Sequence, residues 1–340
     1  VPTELELMFL DEYQAARFRY GPVRGWLHVD EVPLRGAIGF SRPPPLLDRN
    51  EVDDVLVLGG RIRGFSLDQV IPDGQAEGPA LTLPVRLEDL TVETIDVSDL
   101  SFRSVTLNGD IGAGSAMDLS LKMESPDLQG TLDIRAEGPL DLKLDLLRLP
   151  EQSAPPDEVT SARADPLNTE IIAQLVDADV RVDRFMVGQD DYGAWSFGLR
   201  PEQGGVALYD LEADLRGVRI SSERLFWDGV SNRTQFAGSL TAGDLATVLP
   251  QWDYAASIST ESAAVEANLS WQGSPAAVDL SRLVGEAAFE ADNGRFLAVT
   301  QGADAMKIFS LVNFSTIAKR LNFDFSDVVG EGVSFDTLTA

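Results

Sequence analysis

The sequence predicts a mainly β protein, and three observations carry that expectation. Apolar residues recur two apart along most of the chain, short turn signals separate these runs, and stretches with helical spacing are few. The series opens with Leu81, Leu83, Val85 and Leu87, then Ile95 with Val97, Val105 with Leu107, and Met117, Leu119, Leu121 and Met123. Leu132 with Ile134 follows, then Leu140, Leu142 and Leu144. The same beat returns at Ala178, Val180, Val182, at Trp195, Phe197, Leu199, and at Leu211, Ala213, Leu215. It ends with Val265, Ala267, Leu269, Trp271 and with Ala287, Phe289, Ala291. Neighbouring side chains of a strand point to opposite faces, so each run makes one apolar face. The Asp, Glu, Arg, Ser and Thr between them make a wet one.

The turn signals are "SPD" (125–127), "EGP" (137–139), "EQGG" (202–205), "DG" (228–229) and "QGSP" (272–275). Their close succession favours antiparallel meanders over parallel crossovers. Two longer segments, "FSRPPPLLDRNEVDD" (40–54) and "PEQSAPPDEVTSARADP" (150–166), lack hydrophobic period and read as exposed loops. The second, as a loop or linker, divides the chain into a first segment, 1–149, and a second, 167–340.

Three short helices are expected. "AGDLATVLP" (242–250) makes about two turns before Pro250 stops it, and "IIAQLV" (171–176) makes a short one. The third covers 303–313, where Asp304, Lys307, Ser310 and Asn313 fall three apart as a narrow polar stripe. Met306, Ile308, Phe309, Leu311 and Val312 cover the remaining girth. A further turn carries Phe314 and Ile317 and ends on Lys319 and Arg320, where a helix dipole favours cations. This segment, 303–320, is a candidate gate or membrane contact, against the plainer reading of a cap on one end of a sheet.

Composition narrows the function. With 55 Asp plus Glu against 27 Lys plus Arg, the formal charge is −28, which works against nucleic acid as a partner. Cysteine is absent and His28 is the one histidine, so Cys nucleophiles have no member and zinc sites or Ser-His-Asp triads can be assembled only through that imidazole, which sits in the strand-like "GWLHVDEV" and reads as an ordinary strand residue. "NGDIGAGSA" (108–116) lacks the Lys-Ser/Thr of a phosphate loop. Asp190-Asp191 before Tyr192-Gly193 reads as a hairpin turn, not as a calcium loop. Among the many carboxylates no spacing singles out an acid–base pair, although a carbohydrate-active site stays open as a distant reading. Classical nucleophilic hydrolysis is therefore not expected, and no motif calls for a metal or a cofactor. The chain opens "VPTELELMFL", without initiator Met or signal-peptide features, and reads as a piece of a longer polypeptide. Its longest apolar stretch, 305–318, contains Lys307 and Asn313 and falls short of the roughly 20 residues that span a bilayer.

The last hundred residues carry a resemblance. "ANLSWQGSP" (267–275), "GEAAFEADNGRFLAV" (285–299), an apolar helix and "KRLNFDFSDVVGEGVSFD" (319–336) follow in order. The residues that carry it are Leu269, Ser270, Trp271, Gly273 and Pro275, then Gly294, Arg295 and Phe296. Arg320, Leu321, Phe323, Asp324, Phe325 and Asp327, then Gly332, Phe335 and Asp336, complete it. This resembles the C-terminal portion of the YhdP family, AsmA-like envelope proteins of Gram-negative bacteria related in architecture to TamB. Residues 1–265 resemble the family in strand rhythm alone.

The resemblance implies a long curved antiparallel sheet forming an elongated hydrophobic groove, in a periplasmic segment whose full-length protein is anchored in the inner membrane. It implies a bridge conducting phospholipids between inner and outer membrane, with no catalytic residues. Phospholipid acyl chains are then the partner, a membrane surface is a second partner near 303–320, and a monomer is expected. The candidate groove-lining residues are Leu83, Leu119, Leu121, Leu142, Leu144, Val180, Phe197, Leu215, Leu269 and Phe289. The alternative is a structural or binding β-protein, solenoid or sandwich, whose apolar faces meet in a dry core; period-two alternation fits both.

Overall fold

The computed structural model describes residues 5–10, 15–28, 35–44, 55–66, 83–97, 100–113, 118–150, 165, 167, 169–278, 282–297 and 334–339. The helix expected over 303–320, with Met306, Ile308, Phe309, Leu311, Val312, Phe314, Ile317, Lys319 and Arg320, lies outside the described residues. The chain is mainly β and divides into two compact units, 1–151 with 176–189, and 152–175 with 190–340.

In the first unit β1 (Leu5–Leu10), β2 (Ala15–Tyr20), β3 (Val23–His28) and β4 (Arg35–Phe40) form an antiparallel meander. β5 (Leu56–Ser66) joins β4 in parallel, and β6 (Val85–Val97) joins β5 in parallel. β7 (Leu100–Ile111), β8 (Leu119–Glu124), β9 (Leu128–Ile134) and β10 (Leu140–Leu149) resume the antiparallel order. β11 (Ala178–Val182) and β12 (Phe185–Val187) then run parallel to β10 in one register, Leu140 opposite Ala178 and Leu147 opposite Phe185.

This sheet is mixed, which corrects the purely antiparallel expectation. A parallel pair needs a crossover of a dozen or more residues. The links that supply it are the proline-rich stretch between Phe40 and Leu56, the stretch between Ser66 and Val85, and the Pro-, Ser- and Ala-rich stretch between Leu149 and Ala178. Where a short turn joins two strands the antiparallel expectation holds. At Ser125–Asp127, for example, the Ser125 hydroxyl accepts from the amides of Asp127 (3.2 Å) and Leu128 (2.9 Å).

The second unit contains β13 (Asp190–Asp191), β14 (Ala194–Glu202), β15 (Gly205–Leu215), β16 (Val218–Asp228) and β17 (Arg233–Ala242). β18 (Ile258–Ser259), β19 (Ser262–Gln272), β20 (Val284–Phe296) and β21 (Ser334–Thr339) complete it. The ladders from β14 through β17, β19 and β20 to β21 are antiparallel throughout. The Asp228 carboxylate closes the β16–β17 turn by accepting from the amides of Val230 (2.8 Å) and Ser231 (3.0 Å). Those two amides, Ser231 first, hold its carboxyl below the usual range.

Both short helices expected among the described residues are present. Thr169–Gln174 is a 3-10 turn, and α1 (Leu245–Val248) runs into a second one at Leu249–Trp252 that carries Pro250. Asp244 caps α1 by accepting from the Ala246 amide (3.0 Å), and the same oxygen accepts from the Thr260 amide (3.2 Å). Burial pushes this carboxyl up, but the amides of Ala246 and Thr260 with the hydroxyls of Ser259 and Thr247 outweigh it, leaving it below its ordinary value. A carboxyl depressed in the folded state stabilises above its unfolded value, and that contribution is lost as pH falls through the folded one. Asp244→Ala is thus expected to cost about 1 kcal/mol at neutral pH in urea unfolding, with the gap to wild type closing below about pH 4.

Bulges keep the apolar residues on one face where strict alternation fails. The register of β6 with β7 shifts between Leu87 and Leu90, where Asp89 takes φ 47°, and Leu87 and Leu90 are both buried. β15 does the same at Asp210 (φ 49°), so Leu208 and Leu211 join one cluster. β16 and β10 carry shifts at Ser221/Arg224 and Leu144/Leu146. An added residue bends and twists a strand, so these sites impose curvature locally. Glycine matters at one central position of the first sheet: Gly109 has φ 150°, and a Cβ there would lie 2.0 Å from the Ser120 carbonyl oxygen. Gly109→Ala is expected to lower the stability of the first unit by about 2–3 kcal/mol, read as a lower urea midpoint.

Candidate functional site

Strand partners directly opposite share a face, so the register defines rows of side chains across each sheet. In the first unit one row reads Phe18, Gly25, Ile38, Leu58, Leu87, Gly109, Leu121, Leu132, Leu142, Val180 from β2 to β11. Every member is apolar or glycine. The next row on that face runs Val23, Phe40, Gly60, Leu90, Leu107, Met123, Gly130, Leu144, Val182. On the other side of the first row lie Ala16, Leu27, Gly36, Leu56, Val85, Ile111, Leu119 and Ile134.

The second unit repeats the arrangement. Trp195, Ala213, Ile220, Leu240, Val265 and Phe289 form one row, and Leu199, Leu208, Leu225, Phe236, Leu269 and Gly285 another. A third joins Leu215, Val218, Ala242, Ala263, Ala291 and Leu338. Part of this face is dry: Leu211, Leu225, Phe236, Ala267 and Trp271 form a buried cluster, with Trp195, Phe197, Leu240, Val265 and Leu269 half-buried around it.

The candidate residues thus gather on one face in each unit. Leu121, Leu142 and Val180 share a single row, with Leu119 and Leu144 in the rows beside it. In the second unit Leu215 and Phe289 fall in neighbouring rows, Leu269 lies one row further on beyond Gly238, Ala267 and Ala287, and Phe197 packs against the cluster at the β14–β15 register shift. Leu83 stands apart, half-buried just ahead of β6 and in no cross-strand row. Alternation alone missed Phe18, Ile38, Leu225 and Phe236. Glycines and bulges interrupt the spacing that would reveal them.

Exposure varies along the rows. Leu87, Leu90, Val92, Val105 and Leu107 are buried, whereas Leu119, Leu121, Leu132, Ile134, Leu142 and Val180 are half-buried although β8, β9 and β10 have strands on both sides. Among the described residues no second layer closes over this part of the face.

The opposite face is charged from β6 to β11, whereas on β3–β5 it carries a buried cluster of Ala37, Val55 and Val57 with Trp26 packed against it. Arg86 pairs with Asp110 (2.8 Å), Arg181 with Asp183 (2.8 Å), and Lys143 with Asp141. Such exposed pairs add little stability and keep that side in water. On β14–β16 the Tyr209 hydroxyl and the Arg224 guanidinium both donate to Glu202 (2.7 Å each), and in that order they hold its carboxyl below the usual range.

The stretch "SWQGSP" ends β19 in a buried knot. Ser274 is fully buried; its amide (2.7 Å) and hydroxyl (2.5 Å) both donate to the Asp165 carboxylate. The Trp271 indole donates to the Ser274 carbonyl (2.9 Å), and the Thr234 hydroxyl to the Gly273 carbonyl (2.7 Å). Gly273 has φ 105°, and a Cβ there would lie 2.8 Å from an Asp165 oxygen. Tight backbone geometry and buried donors explain why Trp, Gly and Ser stand at these positions.

Among the described residues no cluster of His, Cys, Asp or Glu is arranged to hold a metal ion, and no helix is long and apolar enough to cross a membrane. Comparison with curated proteins and with solved structures found no match. Comparison with protein families matched residues 23–340 to the family described as YhdP protein. That match covers nearly the whole chain, well beyond the C-terminal stretch in which the motifs lie. The chain belongs to the YhdP family, AsmA-like proteins of the cell envelope.

Proposed function

We propose that the apolar face of each unit binds phospholipid acyl chains, and that the chain is a periplasmic segment of a protein conducting phospholipids between inner and outer membrane. The carrying observation is the row Leu121–Leu132–Leu142–Val180, apolar across adjoining strands and half-buried in the middle of a sheet. A dry core would bury such residues. An acyl chain laid along them regains about 0.8 kcal/mol per CH2 removed from water, and successive equivalent rows offer similar sites without a deep trap. Movement along such a face needs no catalytic group, so this reading is of a conduit and not an enzyme. Membership of the family supports the envelope setting, and the inner-membrane anchor is part of the same reading.

The buried cluster around Phe236 and Trp271 favours, for its part of the second unit, the dry-core alternative. Mass spectrometry of organic extracts from the detergent-free protein, beside an acidic control protein, separates the two. Stoichiometric phospholipid, absent from the control, is the expected result. A lipid-free, monodisperse chain would count for the dry core.

A further inference from the structure

In a chain of charge −28, strands β2 to β5 contain no Asp or Glu, while Asp30, Glu31, Asp48, Glu51, Asp53 and Asp54 fall in the sequence between them. The strands carry instead the exposed arginines Arg17, Arg19, Arg24, Arg61 and Arg63, with Arg42 just beyond β4. Register puts the strand residues among them on one face. Arg19 lies opposite Arg24, Arg17 opposite Trp26, and Arg61 opposite Thr91, all on the side away from the Phe18–Gly25–Ile38 row. Arg42 joins them because residues 42–44 cross over Gly39, the partner of Arg24: a Cβ on Gly39 would lie 2.5 Å from the Arg42 carbonyl oxygen. Arg61 has a long ion pair with Glu93 (3.9 Å). The patch is bounded by Glu6, in register with Arg19 on β1, and by Glu88 and Glu93 on β6.

Like charges directly opposite are unfavourable; Glu6 flanks Arg19, whereas Arg24 has Arg19 and Gly39 as its partners in register and no acidic one. Guanidinium forks bind phosphate oxygens in pairs, and spread over strands about 4.8 Å apart they suit an extended array of phosphates better than one small anion. At physiological salt the screening length is about 8 Å, so the acidic remainder of the chain does not cancel the patch for a surface in contact with it.

We propose that the exposed arginines of β2 and β3, with Arg42, Arg61 and Arg63 beside the covered Ala37–Gly39 stretch of β4, dock on the phosphate surface of an anionic bilayer. The choice of a bilayer over another polyanion rests on the acyl-chain reading above: a protein that takes lipid from a membrane has to meet one. The two faces of the first sheet then divide the work, the arginine side holding the chain at the surface and the apolar side receiving acyl chains.

The test is flotation of the intact chain with vesicles of phosphatidylcholine alone or mixed with phosphatidylglycerol. Flotation with the anionic vesicles alone is expected, weakening as salt is raised. Each cation at such a surface contributes about fivefold in affinity, so Arg17→Gln/Arg19→Gln/Arg24→Gln together are expected to lower it about a hundredfold. Arg181→Gln, elsewhere in the first unit, should leave it unchanged, and matched thermal transitions establish that the triple variant folds. Absence of flotation at low salt, retention by the triple variant, or an equal loss in Arg181→Gln would each overturn the assignment. So would displacement by duplex DNA at equal phosphate concentration. Phospholipid in organic extracts reports on the apolar face separately: the triple variant should keep it, and an empty extract with intact flotation would remove the acyl-chain reading alone.

Discussion

Replacing Leu121 and Leu142 together by aspartate is expected to empty the first unit of phospholipid. Both side chains are half-buried in one row, with Leu132 between them, so two carboxylates there interrupt the face on alternate strands. A carboxylate in hydrocarbon surroundings costs about 3 kcal/mol, and two of them should lower acyl-chain affinity at least about a hundredfold. The measurement is phospholipid per protein in organic extracts, with circular dichroism to establish the fold. Half-burial lets each carboxylate reach water in the empty protein, so folding should survive better than at Leu144, which is 4% exposed. Ser120→Asp, one residue from Leu121 but on the other face, is the control and should keep its lipid. Full lipid occupancy in the double variant would remove the row from the site.

The second large effect concerns the knot at the end of β19. Asp165→Ala is expected to destabilise the second unit by about 2–4 kcal/mol, seen as a lower midpoint in urea. It leaves the amide and hydroxyl of Ser274 without their acceptor at a position with no access to solvent. Two buried donors lose their partner at once, and an unsatisfied buried donor costs more than a hydrogen bond returns. Asp165→Asn keeps one acceptor oxygen and should recover part of the loss. The contact also ties the start of the second unit to its family motif, Asp165 reaching more than a hundred residues along the sequence to Ser274. An unchanged midpoint in Asp165→Ala would mean that water or a neighbouring group replaces the carboxylate.

Much of this was legible in the residues themselves. Alternation located β8, β10, β11, β14 and β19 and placed Leu121, Leu142 and Val180 on apolar faces. That these three lie in one row was not legible. Register depends on how the Ser125 turn and the long link from Leu149 to Ala178 bring strands together, and period two says nothing of strand direction. The same long links, read as loops, are what allow β10 to pair in parallel with β11 and β12. Bulges hid other members of the face: Leu87 and Leu90, or Leu208 and Leu211, are three apart because Asp89 and Asp210 are extra residues. Gly25, Gly109 and Gly285 belong to apolar rows yet carry no hydrophobic signal. The basic strands β2–β5 were hidden by the net charge, which sums over strands that the structure keeps apart.

The central claim is that one face of the sheet meets lipid, and a photocrosslinking scan along β9 tests it most directly. Benzophenone side chains placed singly at 131, 132, 133 and 134 in otherwise wild-type protein sample both faces within one strand. Positions 132 and 134 should yield phospholipid adducts and positions 131 and 133 none, because Leu132 and Ile134 lie in the apolar rows and Thr131 and Asp133 oppose Lys143 and Asp141 on the charged side. Adducts at all four positions, or at none, would contradict the account.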